Sequence, residues 1–167
     1  MPRLTILALA WGVAGSASHS PARPSVVQSS AAPTDSAVVT LERTSCFGTC
    51  PVYLVTASAN GGIRFEGKSH VPHPGSAVGQ VPKARLDSLL AELKAAGYFG
   101  FEDQYVPGSP ACENAATDLP TVTTSVTLDG RTKRIEHYRG CAGAPRALSQ
   151  LEERIDEVLN TAQWTGH

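Results

Sequence analysis

The chain has 167 residues, 41% of them hydrophobic and 17% charged, with 14 Lys and Arg against 15 Asp and Glu for a formal net charge of −1. This size fits one globular domain. The balanced charge leaves no basic field to neutralise nucleic-acid phosphates or to hold the chain on an anionic membrane, so neither is an expected partner.

Arg3 and the apolar run from Leu4 to Ala14 are followed by the small residues Gly15, Ser16 and Ala17. One positive charge, a short apolar stretch and small residues make the pattern of a secretory signal peptide, expected over residues 1–17. The run is too short to span a bilayer, which takes about 20 apolar residues. It contains no cysteine to accept a lipid. Residues 18–36 are rich in Ser, Ala and Pro and lack the apolar surface needed to offset ordering, which predicts a flexible tether. The expected location is therefore secreted or periplasmic.

A single α+β domain is expected over residues 37–165. Val38 to Arg43 is β-branched and partly alternating, as a strand requires. Val52 to Ala57 reads as a second strand and ends at the turn residues Asn60-Gly61-Gly62. A returning strand follows, with Ile63, Phe65 and Gly67 alternating with Arg64, Glu66 and Lys68. Pro82 opens a helix in which Leu86, Leu89, Leu90 and Leu93 share one stripe, and Gly97 stops it. Val122 to Leu128 and Arg131 to Tyr138 flank Asp129-Gly130, a two-residue hairpin turn. Pro145 opens the last helix, whose apolar face runs through Leu148, Leu151, Ile155, Val158 and Leu159 as far as Trp164. The expectation is a two-layer domain with an antiparallel sheet, order β-β-β-α-β-β-α, and both helices on one face.

Outside the cytosol, four cysteines are expected as disulfides. With Ser45 opposite Val52, Cys46 and Cys50 fall within one connection, and Gly48 permits its reversal. A two-residue turn at Asp129-Gly130 sets Asp118 opposite Cys141, bringing Cys112 toward the same hairpin end. These registers favour Cys46 with Cys50 and Cys112 with Cys141, although four cysteines permit three pairings and the sequence alone does not choose.

Two chemistries compete for those cysteines. Thiol–disulfide exchange at Cys46 and Cys50 needs a helix N-terminus or a nearby cation to lower a thiol pKa, yet Pro51 leads into a strand, leaving Arg43 or a histidine as the source of charge. A zinc site needs paired short repeats that the cysteine spacing lacks. His70 and His73 bracket Val71-Pro72 near the same sheet end, but without a carboxylate they make an incomplete metal set, so no metal is expected. No Gly-x-Ser-x-Gly elbow, phosphate-binding glycine loop or His-Glu-x-x-His helix occurs, and no cofactor is expected. Asp118, His137 and Tyr138 read as salt-bridged strand ends rather than catalytic groups, and Arg131, Lys133 and Arg134 as a solvated edge that resists pairing.

The segments Arg43-Thr44-Ser45-Cys46-Phe47-Gly48-Thr49-Cys50-Pro51-Val52-Tyr53, Asp118-Leu119-Pro120, His137-Tyr138-Arg139-Gly140-Cys141, Leu151-Glu152, Ile155-Asp156 and Trp164 resemble the domain of unknown function 6438. The Cys-Phe-Gly-x-Cys-Pro-x-Tyr segment is the most specific part. The resemblance implies an exported bacterial protein and brings no catalytic residue. The expected function is a non-enzymatic binding module of the cell envelope, engaging a protein or small ligand through Phe47, Gly48, Thr49, Tyr53, His70 and His73. Its alternative is a thiol–disulfide redox protein.

Overall fold

The computed structural model describes residues 38–166, so the predicted leader at 1–17 and tether at 18–36 lie outside the described residues. Seven strands form one sheet: β1 (Val38–Arg43), β2 (Val52–Ala57), β3 (Gly62–Ser69), β4 (Gly75–Gln80), β5 (Gln104–Tyr105), β6 (Thr121–Leu128) and β7 (Arg131–Tyr138). Two main helices, α1 (Lys83–Ala95) and α2 (Arg146–Leu159), and a short α3 (Ala162–Thr165) complete the α+β architecture. Among the described residues, no helix is long and apolar enough to cross a membrane.

The strand order is β4-β3-β2-β1-β6-β7-β5, antiparallel throughout except for the parallel β5–β7 pair. β1 lies at the centre because both of its neighbours pair along its length. Alternate side chains are buried: Val39 and Leu41 on β1, Tyr53 and Val55 on β2, Ile63 and Phe65 on β3, Val122 and Val126 on β6. They share one core cluster with Leu86, Leu89, Leu90 and Leu93 of α1 and with Leu148, Ile155, Val158 and Leu159 of α2.

Both helices begin and end where local chemistry directs. Pro82 and Pro145 stand extended just before α1 and α2, where a missing N–H costs no helical bond. Gly97 at φ 74° and Asn160 at φ 54° reverse the chain beyond the two C-termini. In the β6–β7 hairpin, Asp129 and Gly130 both take positive φ, 52° and 72°, as a two-residue turn requires.

The element order departs from the expected one. β4 is an additional strand; its Gly-Ser-Ala-Val-Gly-Gln sequence has no large alternating core residues, and its place at the sheet edge is set by pairing with β3. β5 is two residues long, too short for a periodic signal. The stretch read as one last helix breaks at Asn160, and Trp164 sits on the separate α3. The β2–β3 loop is also wider than a two-residue turn: Ala57 pairs with Ile63, and Ser58 closes the loop by donating its N–H to the Gly62 carbonyl.

Candidate functional site

The end of the sheet that carries the cysteine loop is organised by one row of residues and one helix. Arg43 is opposite Tyr53 on β2 and Val122 on β6, and Val122 is opposite His137 on β7. This register differs by one residue from the expected alignment of Ser45 with Val52, because β1 and β2 pair through Arg43 and Tyr53. A one-residue slip exchanges the two faces of a strand. The observed register instead leaves Tyr53 buried at 3% exposure among the core side chains.

Glu152 and Asp156 on α2 are four residues apart, so both carboxylates project from the same side of the helix. Asp156 meets the row at Arg43 and Tyr53. Arg43 donates from Nε and Nη2 to Asp156 Oδ2 at 2.8 and 2.6 Å, and the Tyr53 hydroxyl donates to Oδ1 at 2.6 Å. Thr161, placed by the turn after α2, donates to the same Oδ1 at 2.9 Å. Trp164 on α3 stacks on Phe65 with ring centroids 4.9 Å apart, and Phe65 stacks on Tyr53 at 5.5 Å.

These contacts set the charge state of the site. Burial by itself lowers the Arg43 pKa, but the Asp156 carboxylate and Tyr53 more than offset it, and the guanidinium ends above its usual range. Burial and the neighbouring Asp156 carboxylate push the Tyr53 phenol well above its usual value, so it remains a donor. Arg43 Nη1 has no hydrogen-bond acceptor among the described residues.

The cysteine loop roofs this cluster. Cys46 is bonded to Cys50, with Cα atoms 5.7 Å apart. Gly48 has φ 145°, a conformation that a side chain disfavours, so glycine is required by the backbone itself. Thr44 and Thr121 hold the loop's entry through reciprocal contacts, and the Phe47 N–H donates to the Asp118 carbonyl at 3.1 Å. Phe47 is nevertheless 87% exposed, and Leu119, next to its backbone anchor, is 42% exposed. A cavity of about 460 Å³ lies below, lined by Phe47, Gly48, Thr49 and Tyr53 together with Arg43 and Asp156.

Four of the six predicted surface residues thus gather in one place. His70 and His73 do not join them: both are exposed in the β3–β4 connection, and His73 lines a separate crevice of about 450 Å³ beside Gln163 and Trp164. Asp156, Thr161 and Thr165 also line the cavity, although no sequence motif marks them as site residues. The available signal was the i, i+4 pair of acids on the apolar side of α2. Among the described residues, no group of three His, Cys, Asp or Glu side chains is placed to hold a metal ion.

The other carboxylate, Glu152, lies over the β7 side of the row and is sealed. It approaches His137 Nδ1 at 2.7 Å and accepts from Arg139 Nη1 at 2.9 Å, with His137 and Glu152 each 1% exposed. Cys141 follows Arg139 closely and is bonded to Cys112, with Cα atoms 5.3 Å apart. The β6–β7 register would carry Asp118 opposite Cys141, but the ladder ends at Thr121 and Tyr138, and Cys141 bridges Ala115 instead. Asp118, His137 and Tyr138 form no common cluster: the Tyr138 hydroxyl accepts from the Leu119 N–H, and the Asp118 carboxylate accepts from Thr117. The basic run at the sheet edge is tied down. Arg131 stacks over Phe99, Lys133 binds Phe101 and Asp103, and Arg134 lies 3.6 Å from Glu136.

No curated protein matches this chain. One protein family, described as a domain of unknown function (DUF6438), matches residues 37–159, a span that contains both carboxylates, their arginines and all four cysteines. The chain therefore belongs to the DUF6438 family.

Proposed function

We propose that this protein is an exported, non-enzymatic binding module that engages a protein or small ligand through the cysteine-loop end of its sheet. The observation that carries the proposal is Phe47: a large apolar side chain, 87% exposed, on a loop closed by a disulfide and anchored to Asp118. A loop fixed before contact loses little conformational entropy on binding, and an aromatic anchor on such a loop supplies most of its energy at one point. Leu119 widens the apolar patch, while the cavity beneath offers the remaining Arg43 donor to a carbonyl or carboxylate. The leader pattern and the two disulfides support an envelope or extracellular location.

Two features weigh against the thiol–disulfide alternative. Arg43, the cation nearest the loop in sequence, is paired with Asp156, and Pro51 leads into β2 rather than into a helix N-terminus. On the proposed reading both bridges are structural.

A photoreactive phenylalanine analogue placed at position 47 in the exported protein tests the binding reading, with the exposed Glu66 position as control. The expected result is a discrete cross-linked species from position 47 that is absent from position 66. Equal, diffuse cross-linking from both positions would sink it.

A further inference from the structure

The two edges of the sheet are treated differently. Beyond β7, the short β5 covers part of the strand, the Asp103 carbonyl accepts the Glu136 N–H, and Lys133 and Arg134 add charge. Among the described residues the order ends at β4, and no Asp, Glu, Lys or Arg occurs between Lys68 and Lys83. β4 has no proline and no bulge in its pairing with β3, and its central Val78 is 81% exposed. Charge, proline and bulges are the usual devices that keep an edge from pairing. This edge has none of them.

The register shows which backbone groups are open. The Val81 N–H donates to the Gly61 carbonyl, so the odd positions of β4 face β3, which places the N–H and C=O of Ser76, Val78 and Gln80 outward. The Ser58 bond to Gly62 independently supports this alternation, because it assigns the even positions of β3 to β2.

From this geometry we infer that β4 is a self-association edge, whose partner is a second copy of this chain added antiparallel about a two-fold axis at Val78. The outward positions are spaced symmetrically around Val78: Ser76 meets Gln80 of the mate, Val78 meets Val78, and about six backbone hydrogen bonds close the joined sheet. The exposed valines then cover one another on the outer face. On the opposite face Ala77 and Gly79 are small enough for close approach beside Trp164, which already lies 3.0 Å from where a Gly79 Cβ would stand. Neither strand brings a like charge to the axis. A six-residue edge is small beside the area of about 1,200 to 2,000 Å² buried in stable interfaces, so the dimer is a weak one.

Hydrogen exchange of the full chain from about 10 μM to about 1 mM tests the inference, spanning the affinities of small interfaces. The expected signature is alternating: amide exchange at Ser76, Val78 and Gln80 slows with concentration, whereas Ala77 and Gly79, already bonded to β3, do not change. Sedimentation should show a monomer–dimer equilibrium that Val78→Pro abolishes, with Val78→Lys as a second variant that keeps every backbone donor. Monomer at every concentration would overturn the inference. So would a dimer that persists in both folded variants, or one that protects another surface.

Discussion

Glu152 and Asp156 sit one turn apart on the same helix, each holding an arginine from the same end of the sheet, yet their surroundings differ. Glu152 is sealed with His137, and the long-range Cys112–Cys141 bridge lies just beyond Arg139. Asp156 holds Arg43 and Tyr53 beside a cavity, under a five-residue disulfide loop that carries an exposed phenylalanine. On the proposed binding reading, stability and recognition separate along this one helix. A carboxylate with no route to solvent serves the fold, whereas the same construction opened to a cavity supplies a rigid floor for a surface loop.

The largest effect is expected at Glu152. Glu152→Ala leaves buried His137 without its carboxylate partner and Arg139 with only exposed Glu153, and a loss of about 3 to 5 kcal/mol is expected in urea unfolding. The disulfides should rank in the same sense. Replacing Cys112 and Cys141 by Ser opens a loop with a separation of 29 residues, with an expected loss of about 3 to 4 kcal/mol. Opening the Cys46–Cys50 loop, with a separation of 4, removes about 2 kcal/mol and frees Phe47 to move. Equal losses from the two pairs, read as urea midpoints, would contradict the division.

Two buried tyrosines, Tyr53 in the floor of the open site and Tyr98 bonded to Thr124 elsewhere in the core, should report themselves at high pH. Tyr53 and Tyr98 are both held above the ordinary tyrosine range, Tyr53 by burial and Asp156, Tyr98 by burial. Their folded-state pKa values are raised, so their contribution is complete below the unfolded pKa, near 10, and is lost as pH rises through the folded values. Above pH 10 each removes roughly 1 kcal/mol or more per pH unit, and Tyr53→Phe should lessen the fall in a series of melting temperatures from pH 8 to 11.5. An unchanged slope would show that Tyr53 ionises freely. The smallest stability effect belongs to Phe47→Ala: an exposed side chain should change unfolding by no more than about 0.5 kcal/mol while binding is lost.

Much of the fold was legible because its signals are local. Cysteines four apart around a glycine, Asp129-Gly130 between alternating strands, and the leucine spacing of α1 each specify geometry within a few residues. The polar cluster was not, because Arg43 and Asp156 are 113 residues apart and meet only after the sheet register and the position of α2 are set. β4 escaped for a related reason: Ser76, Ala77, Val78 and the flanking glycines have little intrinsic strand pattern, and their conformation comes from the neighbouring β3. The one-residue difference in the β1–β2 register shows the same dependence. It accompanies the burial of Tyr53, whose hydroxyl accepts from Arg43 across the strand pair and donates to Asp156 once α2 is in place.

On the proposed reading, recognition resides at the Phe47 loop and the Arg43 floor. Its most direct test is the amide and arginine side-chain NMR spectrum of the isotopically labelled protein, titrated with cell-envelope extract from the producing organism. The account predicts perturbations confined to Cys46–Cys50, Asp118, Leu119 and the Arg43 guanidinium, with the Glu152 cluster unchanged. Perturbations centred on another surface, or none at saturating extract, would contradict it.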